Sequence, residues 1–562
     1  MSDSKASGYI SQLTFNNGQT IDIRKNDIVI FVGPNNAGKS QSLKDIYALS
    51  KEPTPSIVIS DVQIKKEYGS VRAVLDGISP AQISGSHSIY KLLNEQIGYS
   101  EPMEDVFKAT KNLGFLHSAF VINLDTAARL NICQPPNSIS RHEAKTHPIH
   151  FAAFNGEYRR WLSANFKKAF NYDLIPYTTN GATIPLCMGD PVTFSERYED
   201  EQARQEAYSD ILSTYKQVQN QGDGIKSFVG ILLFLMLDYY HTYLIDEPES
   251  FLHPPQARIM GQIIGEALSD EQQAFISTHS EDIIKGLIET CPGRIKIIRI
   301  TRDNDTNKFS VLNHDQFFAI WNDPLLRYSN IMSSLFHKTV VLCESDSDCR
   351  FYSIVESHLK HKAGRYSETL FVHCGGKHRM AKIITALRAL DVNIKLISDI
   401  DVLNDKEVFK GIIEAFRMDW STIERDYITL VSNLHSPKEQ IERVSAKRCI
   451  DSVFNSSQGK YLSNNEISLI KEQVKTISKW KALKDAGSNA LPRGDANIAF
   501  ARINQLCKNN GIFIVTVGEL ECFVKAVGGH GPEWVNTVLE SYPDLDADIY
   551  TDARDFISAM EL

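Results

Sequence analysis

The segment DIVIFVGPNNAGKSQSL, residues 27–43, decides how the first half of the chain is read. Residues 28–32 are uninterrupted apolar side chains, β-branched except for Phe31, the composition of a strand covered on both faces. Gly33-x4-Gly38-Lys39-Ser40 follows, and then a helix-compatible stretch, 41–50. A glycine-rich loop between a strand and a helix lets successive backbone N–H groups wrap a phosphate. Gly33, Asn36 and Gly38 would shape that cradle, Lys39 would reach the terminal phosphates of a nucleotide, and the Ser40 hydroxyl could ligate Mg²⁺.

Working outward, Tyr243-Leu-Ile-Asp246-Glu247-Pro248-Glu249 is a short apolar strand ending in carboxylates. Asp246 is placed for the Mg²⁺ shell, and Glu247 to polarise an attacking water. Ile276-Ser-Thr-His279-Ser280 brings a histidine to another strand end, within reach of a terminal phosphate. Between these motifs, residues 86–221 carry apolar and charged residues at helical spacing, broken by proline-rich loops, and read as a mostly helical insertion.

The turn-rich stretch 301–308 and a helical segment to residue 336 mark the junction, giving domains 1–325 and 326–562. Beyond it strands at 339–343, 369–374 and 393–398 alternate with helices at 346–361 and 377–390, the pattern of a parallel sheet. Residues 405–506 are charged and helical in period, and a last strand spans 511–517. Glu344 ends the first strand of this series, with Asp348 one helical turn on. Asp399-Ile-Asp401 ends the third, two side chains sharing a face at the strand period of two. Glu519 and Glu521 follow the last strand. Carboxylates gathered at strand ends form a hard-oxygen site suited to Mg²⁺ or Mn²⁺, not zinc.

The 562 residues carry 60 Lys and Arg against 69 Asp and Glu, a formal charge of −9. So acidic a chain cannot hold nucleic acid by bulk charge; a local basic groove or bridging metal ions must do it. Lys377, His378, Arg379, Lys382 and Arg388 offer such cations on the segment after 369–374. The longest apolar run, 228–237, is ten residues, short of the roughly 18 a bilayer span needs. The first seven residues lack the apolar core of a signal peptide. A cytoplasmic protein without membrane contact is therefore expected. Nine cysteines with no Cys-x-x-Cys pair read as reduced, buried thiols.

The order of the first set of motifs resembles the ABC-type ATPases of the SMC, Rad50 and RecF kind. That resemblance makes residues 221–227 the signature loop, with Gly224 completing a partner's ATP site, although the usual Ser-Gly-Gly wording is absent. The second set resembles the Toprim fold, with Glu344 as its lone glutamate and Asp399 and Asp401 as its Asp-x-Asp; Ser345 stands where that fold usually has glycine. An ABC-type ATPase with a helical insertion, followed by a Toprim α/β domain with helical additions, is similar to the OLD-family (overcoming lysogenization defect) nucleases. The likeness implies a helical dimerisation insertion at 86–221, DNA as substrate, Mg²⁺ or Mn²⁺ with Asp348, Glu519 and Glu521 among the ligands, and a late lysine, here Lys525, assisting cleavage. It also implies antiphage defence beside a helicase or a retron reverse transcriptase with its nucleic acid.

Two functions follow as expectations. One is an ATP-regulated, metal-dependent DNA endonuclease; the other is a DNA-binding scaffold ATPase whose second domain binds without cutting. Both need a homo-oligomer, a dimer or a dimer of dimers, because a cassette ATP site is incomplete in one chain. Light scattering at micromolar protein should therefore give at least a dimeric mass through closed symmetric contacts.

Overall fold

The computed structural model describes residues 5–84, 87–93, 95–192, 200–303, 306–312, 314–323, 331–434, 442–456, 459, 461–473 and 479–562. They form two compact units, Met1–Asp315 and Gln316–Leu562. The centre of the first is a six-stranded sheet in the order Thr306–Val311, Ile295–Asp303, Ile28–Val32, Gln273–Ser277, Thr242–Asp246, Val121–Leu124. Every pairing is parallel except the edge pairing of Thr306–Val311 with Ile295–Asp303. Ile28–Val32 and Gln273–Ser277 are buried at every position, as strands covered on both faces must be.

One cover is the antiparallel sheet Thr20–Asp22, Ser7–Phe15, Ile59–Glu67, whose Ile10, Leu13 and Phe15 share a core with Val29, Phe31 and Phe275. Gln273 pins that cover in place. Its buried side-chain amide accepts from the Ile10 N–H at 2.8 Å and donates to the Ile10 carbonyl at 3.1 Å, imitating a strand neighbour. Satisfying both backbone groups is what permits a polar side chain there. Helices Pro254–Ala267 and Glu281–Thr290 meet backbone to backbone at Gly261 and Gly286.

Two readings of the sequence change here. Residues 86–221 are not mostly helical: beside their helices they hold six strands, one of which, Val121–Leu124, belongs to the central sheet. These strands are two to six residues long, too short for a period of two to stand out from helical spacing. Within this stretch residues 193–199 lie outside the described residues, and Glu201–Ser213 is helical. Of the junction expected at 301–336, residues 301–303 and 306–308 lie in the edge hairpin of the central sheet, and the two units divide in the helical part, between Asp315 and Gln316.

The second unit holds a parallel sheet in the order Thr369–His373, Thr339–Cys343, Asn393–Asp399, Ile512–Val515. Helix Asp346–Lys362 packs on it through Phe351 and Tyr352, against Phe523, Trp534 and Tyr550. The described residues between Lys406 and Asn509 are mostly helical, as the period predicts. No disulfide forms among the nine cysteines, seven of which are buried. Among the described residues no helix is long and apolar enough to cross a membrane.

The Gly261–Gly286 crossing yields a stability test. A methyl at Gly286 would collide with the Arg258 carbonyl, whereas one at Gly293 would meet nothing within 4 Å. Gly286→Ala should lower stability by about 1–3 kcal/mol, as overpacking does, and Gly293→Ala should leave the urea midpoint nearly unchanged.

Candidate functional site

Strand Ile28–Val32 ends at Gly33, whose φ is 144° and where any side chain would run into the Ile300 carbonyl. Asn36 holds a left-handed turn at φ 59°, and Gly38 (φ 102°) opens helix Lys39–Lys51, with Ser40 its second residue. The loop thus has the cradle form that phosphate binding requires. The buried Lys39 ammonium donates to the carbonyls of Gly33 at 3.0 Å and Pro34 at 2.8 Å. Burial pushes its pKa down to about 8, against the pull of Glu247, Glu249 and Asp246.

Asp246 ends its strand beside Ser277, whose hydroxyl donates to the Asp246 carboxylate. Glu247 follows in the left-handed region at φ 47°, its N–H donating to the Ser277 carbonyl at 2.9 Å. Its carboxylate lies 3.6 Å from His279 Nε2. The His279 N–H donates at 2.6 Å to Glu249, a carboxylate whose pKa burial raises. Burial, and then Lys39, lower the pKa of His279, so at neutral pH its ring is uncharged. Gly224 opens helix Asp223–Leu235 against the loop after Glu249, where a methyl would come within 2.6 Å of the Phe251 carbonyl.

Sequence reading missed Arg129, which no motif marks. This fully buried arginine donates to the carbonyls of Asp246 and, at 3.2 Å, of Glu247, and to Thr126 Oγ1 at 3.2 Å. It holds the strained Glu247 backbone from behind. Helix Asp223–Leu235 abuts it: a methyl at Gly230 would collide with the Arg129 carbonyl.

The second unit gathers the carboxylates expected of it. Glu344, Asp399 and Asp401 each offer an oxygen, all within 4.8 Å of one another. Burial and then Asp401 raise the pKa of Glu344; burial and then Asp348 and Glu344 raise that of Asp399. Mutual repulsion of this kind is what a divalent cation relieves. The strand ends at Asp399, so Asp401 reaches the cluster from the turn Ile400–Asn404 and not from the strand face expected.

Asp348 stands beside this trio. One of its oxygens accepts the Ser345 N–H at 2.8 Å, closing a capping box on helix Asp346–Lys362, and burial raises its pKa. Glu519 and Glu521 form a second group with His530, a residue not anticipated from the sequence. Lys525 is exposed, beside Cys522. A lysine that sequence reading missed at the carboxylates is Lys484, 2.9 Å from Glu519 and close to Asp401 and Asp399. It lies on helix Lys479–Ala486, in a charged stretch where nothing distinguishes it. The basic segment also divides: Lys377 pairs with Asp401 at 3.1 Å and Lys382 with Asp323, so they do not form one free cationic face.

Residues 193–284 match the family model described as an AAA ATPase domain, a stretch that contains Gly224, Asp246, Glu247 and His279. With the phosphate cradle, this assigns ATP binding and an ATPase domain to the first unit. No curated protein matches the chain. Among solved structures, the chain is similar to an SMC head bound to the C-terminal winged-helix domain of ScpA, with TM-score 0.34, 14% identity, and 55% of this chain and 99% of that one covered. An SMC head bound to the C-terminal domain of ScpA, derived from Pyrococcus furiosus, gives 0.34 and 12%, covering 56% and 98%. The SMC head domain from Thermotoga maritima gives 0.29 and 12%, covering 55% and 98%.

The geometry separates binding from turnover. Lys39→Ala should weaken ATP binding. Glu247→Gln should bind ATP normally while phosphate release falls about 10²- to 10⁴-fold, the usual contribution of a positioned base. Equilibrium titration with ATP and steady-state phosphate release measure the two.

Proposed function

We propose that the chain is an ATP-regulated, divalent-metal-dependent DNA endonuclease: an ABC-type ATPase of the SMC and Rad50 kind joined to a Toprim-like nuclease. The observation that carries this reading is the close gathering of Glu344, Asp399 and Asp401 at the C-terminal ends of neighbouring parallel strands. Glu344 and Asp399, whose proton affinity burial and then the neighbouring acids raise, form with Asp401 a set of oxygens that fits Mg²⁺ or Mn²⁺, to which Asp348, Glu519 and Glu521 would add theirs. Two bound ions supply an activated water and stabilise the charge on a scissile phosphate. Around them Lys377 and Lys484 place positive charge beside the acidic residues, where a DNA phosphate must enter. In the first unit Asp246 and Ser40 hold the nucleotide's metal, Glu247 positions water, and His279 hydrogen-bonds the terminal phosphate. The working form is a homo-oligomer, and the setting is antiphage defence with a helicase or a reverse transcriptase as partner.

One observation favours the second reading, a scaffold ATPase that holds DNA without cutting. The ion pairs Lys377–Asp401 and Lys484–Glu519 already offset part of the acidic charge. Incubating supercoiled plasmid with Mg²⁺ or Mn²⁺, with and without ATP, decides between them. Nicked or linear product that disappears in the Asp399→Ala, Asp401→Ala double variant, with ATP binding kept, is the expected result. Retention of plasmid without cleavage selects the scaffold; cleavage by the double variant puts the nuclease elsewhere.

A further inference from the structure

A cavity of about 680 Å³ opens at the opposite edge of the second unit's sheet, where Asn393–Asp399 and Ile512–Val515 begin. At about 3.3 Å per residue the length of Asn393–Asp399 separates it from Asp399 by roughly 20 Å. Its lining is strongly cationic: Arg388, Lys395, Arg417 and Lys508, against Asp391 and Glu561. The Lys395 ammonium is engaged by the backbone carbonyls of Met560 and Glu561. Among the described residues, Arg388, Arg417 and Lys508 form no ion pair. The Arg388 guanidinium lies 5.3 Å from the Phe416 ring, with a buried Nε that makes no hydrogen bond. Arg417 lines the same cavity, and burial, then the Arg417 charge, lower the Arg388 pKa.

Backbone strain points to the same place. Helix Met380–Ala389 ends with Asp391 at φ 52°, and helix Lys406–Ala415 with Arg417 at φ 60°. Both ends are Schellman caps: Asp391 N–H donates to Arg388 and Val392 N–H to Leu387, each at 3.1 Å. Arg417 N–H donates to Glu414 at 2.8 Å and Met418 N–H to Ile413 at 3.1 Å. Glycine or asparagine is usual at that position, because a side chain there is strained. Among the described residues, seven non-glycine residues have positive φ. Asp391, Arg417 and Glu561 line this cavity, and Asn36, Glu247 and Phe251 belong to the nucleotide site or the loop after it. Such strain concentrates where ligands are held. Arg388 and Lys508, in the last turns of their helices, also offset carbonyl ends. Arg417 lies beyond its helix, so that role does not explain it.

We propose that this cavity binds a nucleotide-sized phosphorylated small molecule, its phosphate held by the guanidiniums of Arg388 and Arg417 with Lys508 alongside. Planar guanidinium forks match phosphate oxygens two at a time, and the volume suits a ligand of that size. The assignment is independent of whether the carboxylate edge cuts DNA.

The test uses the full chain carrying Lys39→Ala, with EDTA present, so that the P-loop and the carboxylate cluster contribute little. Pyrophosphate and ATP at millimolar concentration should each raise the melting midpoint. Adding Arg388→Gln and Arg417→Gly should weaken both at least tenfold in titration. Arg417→Gly alone relieves the left-handed strain, so its midpoint without ligand should equal or exceed that of its parent while its ligand response falls. That combination distinguishes lost binding from lost folding. The proposal is overturned if neither probe shifts the midpoint, or if the response survives in the Arg388→Gln, Arg417→Gly variant. A lower midpoint in Arg417→Gly alone would make the arginine structural and overturn it too. So would a response to a short single-stranded DNA with none to pyrophosphate.

Discussion

Parallel strand pairing is the constraint on which both sites rest. When neighbouring strands run the same way, all their carboxyl ends face one edge, and whatever follows each strand is delivered there. In the first unit this brings the loop after Val32, Asp246 and the segment after Ser277 together from positions more than 200 residues apart. In the second it brings Glu344, Asp399 and Glu519 to one edge, at or just after the ends of three adjacent strands. The chemistry therefore needs no long loops, only correct register. Register is enforced by burial, because a slip of one residue in a strand like Ile28–Val32 would misplace the whole loop behind it.

Both edges crowd like charges, and each manages the crowding differently. At the nucleotide edge a buried cation, Arg129, lies behind Asp246 and Glu247 and engages their backbone carbonyls, leaving the carboxylates themselves available. Its cost of burial is offset by those bonds and by the surrounding acids. At the carboxylate edge the lysines Lys377 and Lys484 come from the front and touch the acids directly. The first arrangement is permanent, built into the core. The second rests on lysines whose side chains are partly exposed.

Legibility in the sequence followed how local the signal was. The phosphate loop, the Asp246 strand and the parallel series from Thr339 onward stand out because each is a contiguous pattern with a physical period. Val121–Leu124 escaped notice because four residues at a sheet edge carry no period, and its neighbour Thr242–Asp246 is more than a hundred residues away. Arg129 and Lys484 were illegible for a related reason. Their roles depend on which helix packs where, and nothing in their own neighbourhoods differs from a solvated helix. Asp348 was anticipated as a ligand; what the structure gives it is a place in the fold, capping helix Asp346–Lys362 through Ser345.

The position of Ile28–Val32 in the middle of its sheet has a consequence for how the protein is made. Its two sheet neighbours, Gln273–Ser277 and Ile295–Asp303, both come much later in the chain. From residue 28 to residue 273 is 245 residues, about 12–50 s of translation at 5–20 residues per second. Throughout that interval the nascent chain holds a five-residue apolar strand with neither ladder partner yet synthesised. Ser7–Phe15 and Ile59–Glu67 are available early to cover one of its faces, but its hydrogen-bonding edges stay open. Strand order thus keeps one edge of Ile28–Val32 open until Ile295–Asp303, the later of its two neighbours, has left the ribosome.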